Sequence, residues 1–182
     1  MRKIKGYAMI IGLGLVIGGC SAFQSASTST TTSGITTDSA IQTNLGAKLN
    51  NSDNFPGSNL YVDAFQGTVL LTGQVADKDQ KTFMLNVVRG YPGVTKIYDY
   101  TEIRLPTSLS VRSSDSMVTT SVKAQLLGTN GIPSNNIKVE TTNGVVYMMG
   151  NLTREQAESA AQMTALVGGV EKVVTLFNYV QP

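Results

Sequence analysis

A chain that repeats itself must fold as copies of one unit, and this 182-residue chain does so. Sliding residues 38 to 105 over residues 115 to 180 at an offset of 77 sets Asp38 on Asp115, Ile41 on Val118, Leu45 on Val122, Leu49 on Leu126 and Pro56 on Pro133. The register continues with Leu60 on Ile137, Val62 on Val139, Gly67 on Gly144, Val69 on Val146 and Gly73 on Gly150. One residue is then lost. At an offset of 76, Gln80 falls on Gln156, Gly93 on Gly169, Val94 on Val170 and Lys96 on Lys172. Chance similarity does not keep glycines, a proline and several apolar periodicities in step, so the chain holds a duplicated domain. The copies cover residues 37–105 and 114–182, with a linker over 106–113.

Each copy reads in the same order. Asp38 to Leu49 and Asp115 to Leu127 carry apolar residues at i, i+4 and i+8 behind an Asp suited to an N-cap, which predicts an amphipathic helix. The period then changes to two, over Leu60 to Phe65 and Ile137 to Thr142, and again over Val69 to Val75 and Val145 to Leu152. Gln66-Gly67 and Asn143-Gly144 separate these runs. Asn-Gly between alternating runs predicts a tight hairpin, because both turn residues need positive φ. Asp77-x-x-Gln80 and Thr153-x-x-Gln156 have the spacing of capping boxes opening a second helix. Gly93 and Gly169 are expected to end those helices, and Val94 to Ile103 and Val170 to Val180 to supply a third strand. The fold class is therefore α+β: α-β-β-α-β twice, each copy a three-stranded mixed sheet with two helices.

At about 70 residues neither copy has much core to spare, and helices on one face leave the other face of each sheet to be covered. The two domains are expected to pack together. Tyr98, Tyr100, Phe177 and Tyr179 in the third strands are candidates for that contact, or else line each domain's own sheet.

Ahead of the repeats lies a processing segment. Arg2, Lys3 and Lys5 precede an apolar, Gly-rich run from Tyr7 to Gly19 that is too short for a membrane-spanning helix, which needs about 20 residues. The run closes on Ile17-Gly18-Gly19-Cys20, which resembles the bacterial lipobox. That resemblance implies a signal peptide over 1–19, a lipid attached to Cys20, and, with Ser21 rather than Asp following, export to the outer membrane with the chain facing the periplasm. Ten of the sixteen residues from Ser21 to Thr36 are Ser or Thr and none is charged, so residues 20–36 read as a flexible tether from the lipidated Cys.

Composition narrows the chemistry. The chain has no His, one Cys and no Trp, so imidazole-based hydrolysis, His metal ligation and an internal disulfide are all closed to it. No catalytic residue, metal ligand or cofactor motif is expected. Asp77 and Asp79 flank Lys78 at a predicted helix start, where carboxylates favour the helix dipole rather than acid–base work. The glycines around Gly168-Gly169 lack the spacing and Lys of a phosphate loop. Removing Arg2, Lys3 and Lys5 with the leader leaves 11 basic against 12 acidic residues, about −1 in net charge, which does not suit nucleic acid.

The helix, the hairpin with Gly-x5-Gly around an alternating strand, the second helix and the Gly-Val-x-x-Val strand resemble the BON domain, here in tandem behind a lipobox. The likeness spans Thr37 to Val180 and is sharpest from Asp115 to Val173. It implies no catalysis. It implies binding of an anionic phospholipid membrane, mainly by the first helix of the second domain, in support of envelope integrity. On a helical wheel Val118, Val122 and Leu126 face the core, while Met117, Thr120, Ser121, Ala124 and Leu127 fall opposite, with Lys123 beside them. These six residues are the expected phospholipid site, and Arg112 ahead of the helix is a second cation near it. Lipidated two-domain members of the family have Trp where this chain has Met117, so the anchor is softer here. A different class of reading is an adaptor that docks envelope proteins through an exposed sheet edge or the inter-domain groove.

Overall fold

The structure, a computed structural model, describes residues 37–181; the leader, Cys20 and the Ser/Thr-rich tether all lie outside the described residues. In the first copy, α1 (Asp38–Leu49) buries Ile41, Leu45 and Leu49 against the hairpin of β1 (Asn59–Phe65) and β2 (Thr68–Val75). Helix α2 (Lys78–Arg89) crosses over, and β3 (Lys96–Asp99) and β4 (Glu102–Ile103) return parallel to β2. The second copy repeats the plan with α3 (Leu109–Leu127), a 3-10 turn over Ser134–Asn136, the hairpin of β5 (Ile137–Thr142) and β6 (Val145–Leu152), α4 (Arg154–Ala165) and the parallel β7 (Lys172–Tyr179). Each sheet is mixed, with its hairpin's second strand in the centre.

Both hairpin turns are left-handed at both residues, with φ of 50° and 74° at Gln66-Gly67 and 51° and 72° at Asn143-Gly144. The two repeat-related aspartates hold these turns and are not helix caps. Thr37 caps α1 and Ser108 caps α3. Asp38 instead accepts from the backbone N–H groups of Gln66 and Gly67 at 2.6 and 2.9 Å, and Asp115 from those of Asn143 and Gly144 at 3.0 and 2.9 Å. A carboxylate with two oxygens meets two adjacent N–H donors that a two-residue turn leaves free.

Several boundaries differ from the sequence reading. Helix α3 starts at Leu109, two turns earlier than Asp115, so most of the 106–113 segment is helix rather than linker. Helices α2 and α4 end at Arg89 and Ala165, ahead of Gly93 and Gly169, whose φ of 87° and 89° turn the chain into the third strand. Thr153 and Gln156 form a full capping box, whereas Gln80 sends its carboxamide oxygen to the N–H of Ala76 instead of its own cap. The third strand of the first copy is broken at Tyr100-Thr101, where Asp99 accepts from the backbone N–H and hydroxyl of Thr101. That break lies beside Gly73, whose φ of 103° bends β2 so closely to Asn59 that a Cβ would sit 2.1 Å from its carbonyl oxygen.

The helices cover one face of each sheet, giving two separate cores. The other faces meet. Leu70, Phe65 and Tyr98 of the first copy pack with Tyr147, Met149, Val145, Val174 and Leu176 of the second, and Tyr100 lies 4.9 Å from Tyr147 between ring centroids. Thr142 and Thr72 share a buried hydrogen bond of 2.9 Å across this seam, and Asn151 donates to Gln66 at its margin. Of the four third-strand aromatics, Tyr98 and Tyr100 join the interface, Phe177 lies in its own domain's core, and Tyr179 is exposed with the Arg154 guanidinium 5.2 Å over its ring.

Candidate functional site

Helix α3 owes its position to three inward residues. Val118, Val122 and Leu126, one turn apart, seat it on β5 and α4, with the buried Asp115 in line ahead of them tying it to the hairpin turn. The six residues expected at the site are all exposed: Met117 is 69% and Leu127 71% accessible, and Thr120, Ser121, Lys123 and Ala124 lie open around them. The two added turns bring Leu109, 75% accessible, onto the same outer azimuth as Leu127. Leu109 and Leu127 are about 27 Å apart at 1.5 Å per residue, and Lys123, exposed and about 40° from their common line, is the charged side chain beside it. The hydroxyls of Ser116 and Thr120 donate to the carbonyls of Arg112 and Ser116 within the helix, which lowers the cost of placing this face against an apolar medium.

The cations divide. Arg112 lies within the helix rather than ahead of it, and its guanidinium donates to Asn59 of the first domain at 3.1 Å, so it joins the two domains instead of facing outward. Lys123 is free. It borders a pocket of about 260 Å³ with Leu127, Ser134 and Asn135, the last two carried in by the 3-10 turn. Sequence reasoning missed Leu109, Ser134 and Asn135. A serine N-cap at Ser108 was the available signal for the first, and nothing local marked the other two.

Behind α3 the interface holds two carboxylates from the same position of each repeat, Asp63 on β1 and Glu140 on β5. Burial, reinforced by Asp63, pushes Glu140 up to about 8, with Lys123 opposing and Asp115 adding to the rise. Burial likewise raises Asp63, against the pull of Lys138 and Lys123. Among the described residues no group of three or more Asp, Glu, His or Cys is placed to hold a metal ion, and no helix is long and apolar enough to cross a membrane.

The model of the BON domain matches twice, over residues 37–104 and 114–181. The chain belongs to the BON domain family. These matches follow the two folded copies, and the BON chain resembles three proteins along most of its length. It is 39% identical over 122 residues to the 21 kDa hemolysin of Actinobacillus pleuropneumoniae, covering 66% of this chain and 62% of that one. It is 34% identical over 116 residues to the outer membrane lipoprotein DolP of Haemophilus influenzae, covering 64% and 60%. Against osmotically-inducible protein Y of Escherichia coli the identity is 34% over 139 residues, covering 75% and 69%. The chain thus spans about three fifths of the length of the first two relatives.

Proposed function

We propose that this tandem BON protein is associated with the cell envelope, anchored through Cys20 to the periplasmic face of the outer membrane, and binds anionic phospholipid through the outer face of α3 in support of envelope integrity. The observation that carries this reading is the face itself, with Leu109, Met117 and Leu127 exposed along it and Lys123 the one exposed cation beside them. The relatives named for an outer membrane lipoprotein and for osmotic induction support the envelope setting.

The physics gives weak binding by design. A fully buried Met or Leu contributes about 1.5 to 3 kcal/mol, and a helix lying in the headgroup region buries its side chains in part. One nearby Lys adds about 1 kcal/mol at an anionic surface. Such affinity is small for a free protein. An acyl anchor at Cys20 and a tether of some sixteen residues hold the domain at high local concentration near the bilayer, so the anchor supplies residence and the helix senses headgroup charge.

Two measurements test the two halves. In liposome flotation of the form lacking residues 1–20, Leu127→Asp should lower binding to phosphatidylglycerol vesicles by roughly tenfold, from lost burial plus a like charge at the surface. Thr43→Asp on the more polar face of α1 should change little. Equal flotation of wild type and Leu127→Asp would remove α3 from the site and favour an adaptor that docks envelope proteins. For the anchor, mass spectrometry of the membrane-bound protein should find an acylated Cys20 at the N-terminus; an unmodified thiol there contradicts it.

A further inference from the structure

We infer that the second domain holds a cleft for a neutral saccharide, separate from α3, between the loop that follows that helix and the start of α4. The cleft has a volume of about 710 Å³, within the ~300–1,000 Å³ common for small-ligand sites. Asn130, Asn136, Asn151, Gln156 and Ser159 line it, together with Glu155 as its one charged side chain.

The duplication shows that this opening belongs to the second copy. In the first copy the same place is closed: Phe83 on α2 stacks on the buried Phe55 at 5.4 Å between centroids. Gln80 also reaches across, donating to the carbonyl of Pro56 at 3.1 Å and accepting from the Ser58 hydroxyl. In the second copy Ser159 stands where Phe83 would be and Ile132 where Phe55 would be. The single-residue deletion ahead of α4 brings Thr153 into the cap position, and Gln156 turns back to accept from its N–H at 3.1 Å. Closing ring and bridging amide are thus both withdrawn. The carboxamides of Asn130 and Asn136, the amide nitrogen of Gln156 and the hydroxyl of Ser159 make no hydrogen bond among the described residues and face the cleft.

The lining chemistry selects the ligand. A carboxamide presents a donor and an acceptor side by side, which matches the hydroxyl pairs of a sugar, each of which also donates and accepts. No Lys or Arg lines the cleft, so a phosphate or lipid headgroup finds no counter-charge there. Pro133 and Val180 are the apolar side chains at its wall, and a neutral peptide is the competing occupant that the test below includes. The cleft adjoins a second hollow bordered by Tyr179 and by Arg154, whose guanidinium lies 5.2 Å over that ring, so the cation stands outside the cleft itself.

The test is saturation-transfer NMR with the full chain in phosphatidylcholine nanodiscs, using maltotriose and chitotriose as probes and empty nanodiscs as the blank. Transfer to at least one sugar is expected. Ser159→Phe, which copies the first domain's closure, and Asn136→Ala, which removes one free amide, should each reduce it by at least about fivefold with unchanged thermal unfolding. No transfer above the blank, or transfer that both variants leave intact, overturns the assignment. So does transfer to a neutral Gly-Ser hexapeptide but to neither sugar. Because the vesicle binding of α3 is measured separately, its failure and the failure of this cleft are distinguishable.

Discussion

The residues that organise each domain are those that hold a turn. Asp38 and Asp115 stand 77 positions apart and each binds two backbone N–H groups of a hairpin. Their role is the same but their settings differ, since Asp115 is buried, whereas Asp38 is half-buried with its bond to Gln66 exposed to water. Asp115→Ala should therefore cost about 2 to 3 kcal/mol, from two charge-assisted bonds lost and two turn donors left unpaired. Asp38→Ala should cost less, because water replaces the lost acceptor. Urea denaturation of the two variants checks the order, and equal midpoints would show that the clamp is not what these aspartates contribute. From sequence, both residues are visible as repeat partners, yet their position before an apolar run is also that of an N-cap. Only the return of the hairpin to the helix, a contact 28 residues away, separates the two roles.

At the scale of elements, periodicity made the helices and hairpins legible, because each buries one face and the pattern of Ile41, Leu45 and Leu49 or of Val118, Val122 and Leu126 records it. The early start of α3 was marked in the sequence by Ser108 alone. Ser and Arg in its first two turns carry no apolar stripe, and that stretch is held instead by the Ser108 cap and by Arg112 bonding to Asn59 in the other domain. The meeting of β1 and β5 has a consequence for pH. Glu140 faces Asp63 across the seam, with Lys138 on its own strand and Lys123, Asp115 and Arg112 on α3 around the pair. With its folded value raised from 4.5 to about 8, Glu140 keeps its stabilising proton fully below the unfolded value, and that contribution fades as pH climbs from 4.5 through 8. The raised Asp63 acts in the same direction. The protein should be more resistant to urea near pH 5 than near pH 8.5, with Glu140 contributing at most about 1.4 kcal/mol per pH unit to the slope. Glu140→Gln should flatten this profile by stabilising the alkaline side. A wild-type profile that rises toward alkaline pH, or one that Glu140→Gln leaves unaltered, would contradict the pairing.

For the whole molecule, the duplication has produced division rather than repetition. The two sheets turn their uncovered faces to one another and become a single layered body, leaving the helices outward on both sides. The first helix of one copy has a polar outer face with Gln42, Thr43 and Asn44, while that of the other has Met117, Ala124 and Leu127. The fold and this contrast were readable from residue spacing, but which aromatics met at the seam was not. Strand alternation sends Tyr98 and Phe177 to opposite faces of their sheets, and one residue of register decides which. The chain has no Trp, so Met117→Trp creates a single reporter at the centre of the proposed membrane contact. With the soluble form, adding phosphatidylglycerol vesicles should shift its emission to the blue and strengthen binding, while phosphatidylcholine vesicles leave it as in buffer. An emission spectrum unchanged by anionic vesicles to which the protein demonstrably binds would show that α3 is not the surface that meets the lipid.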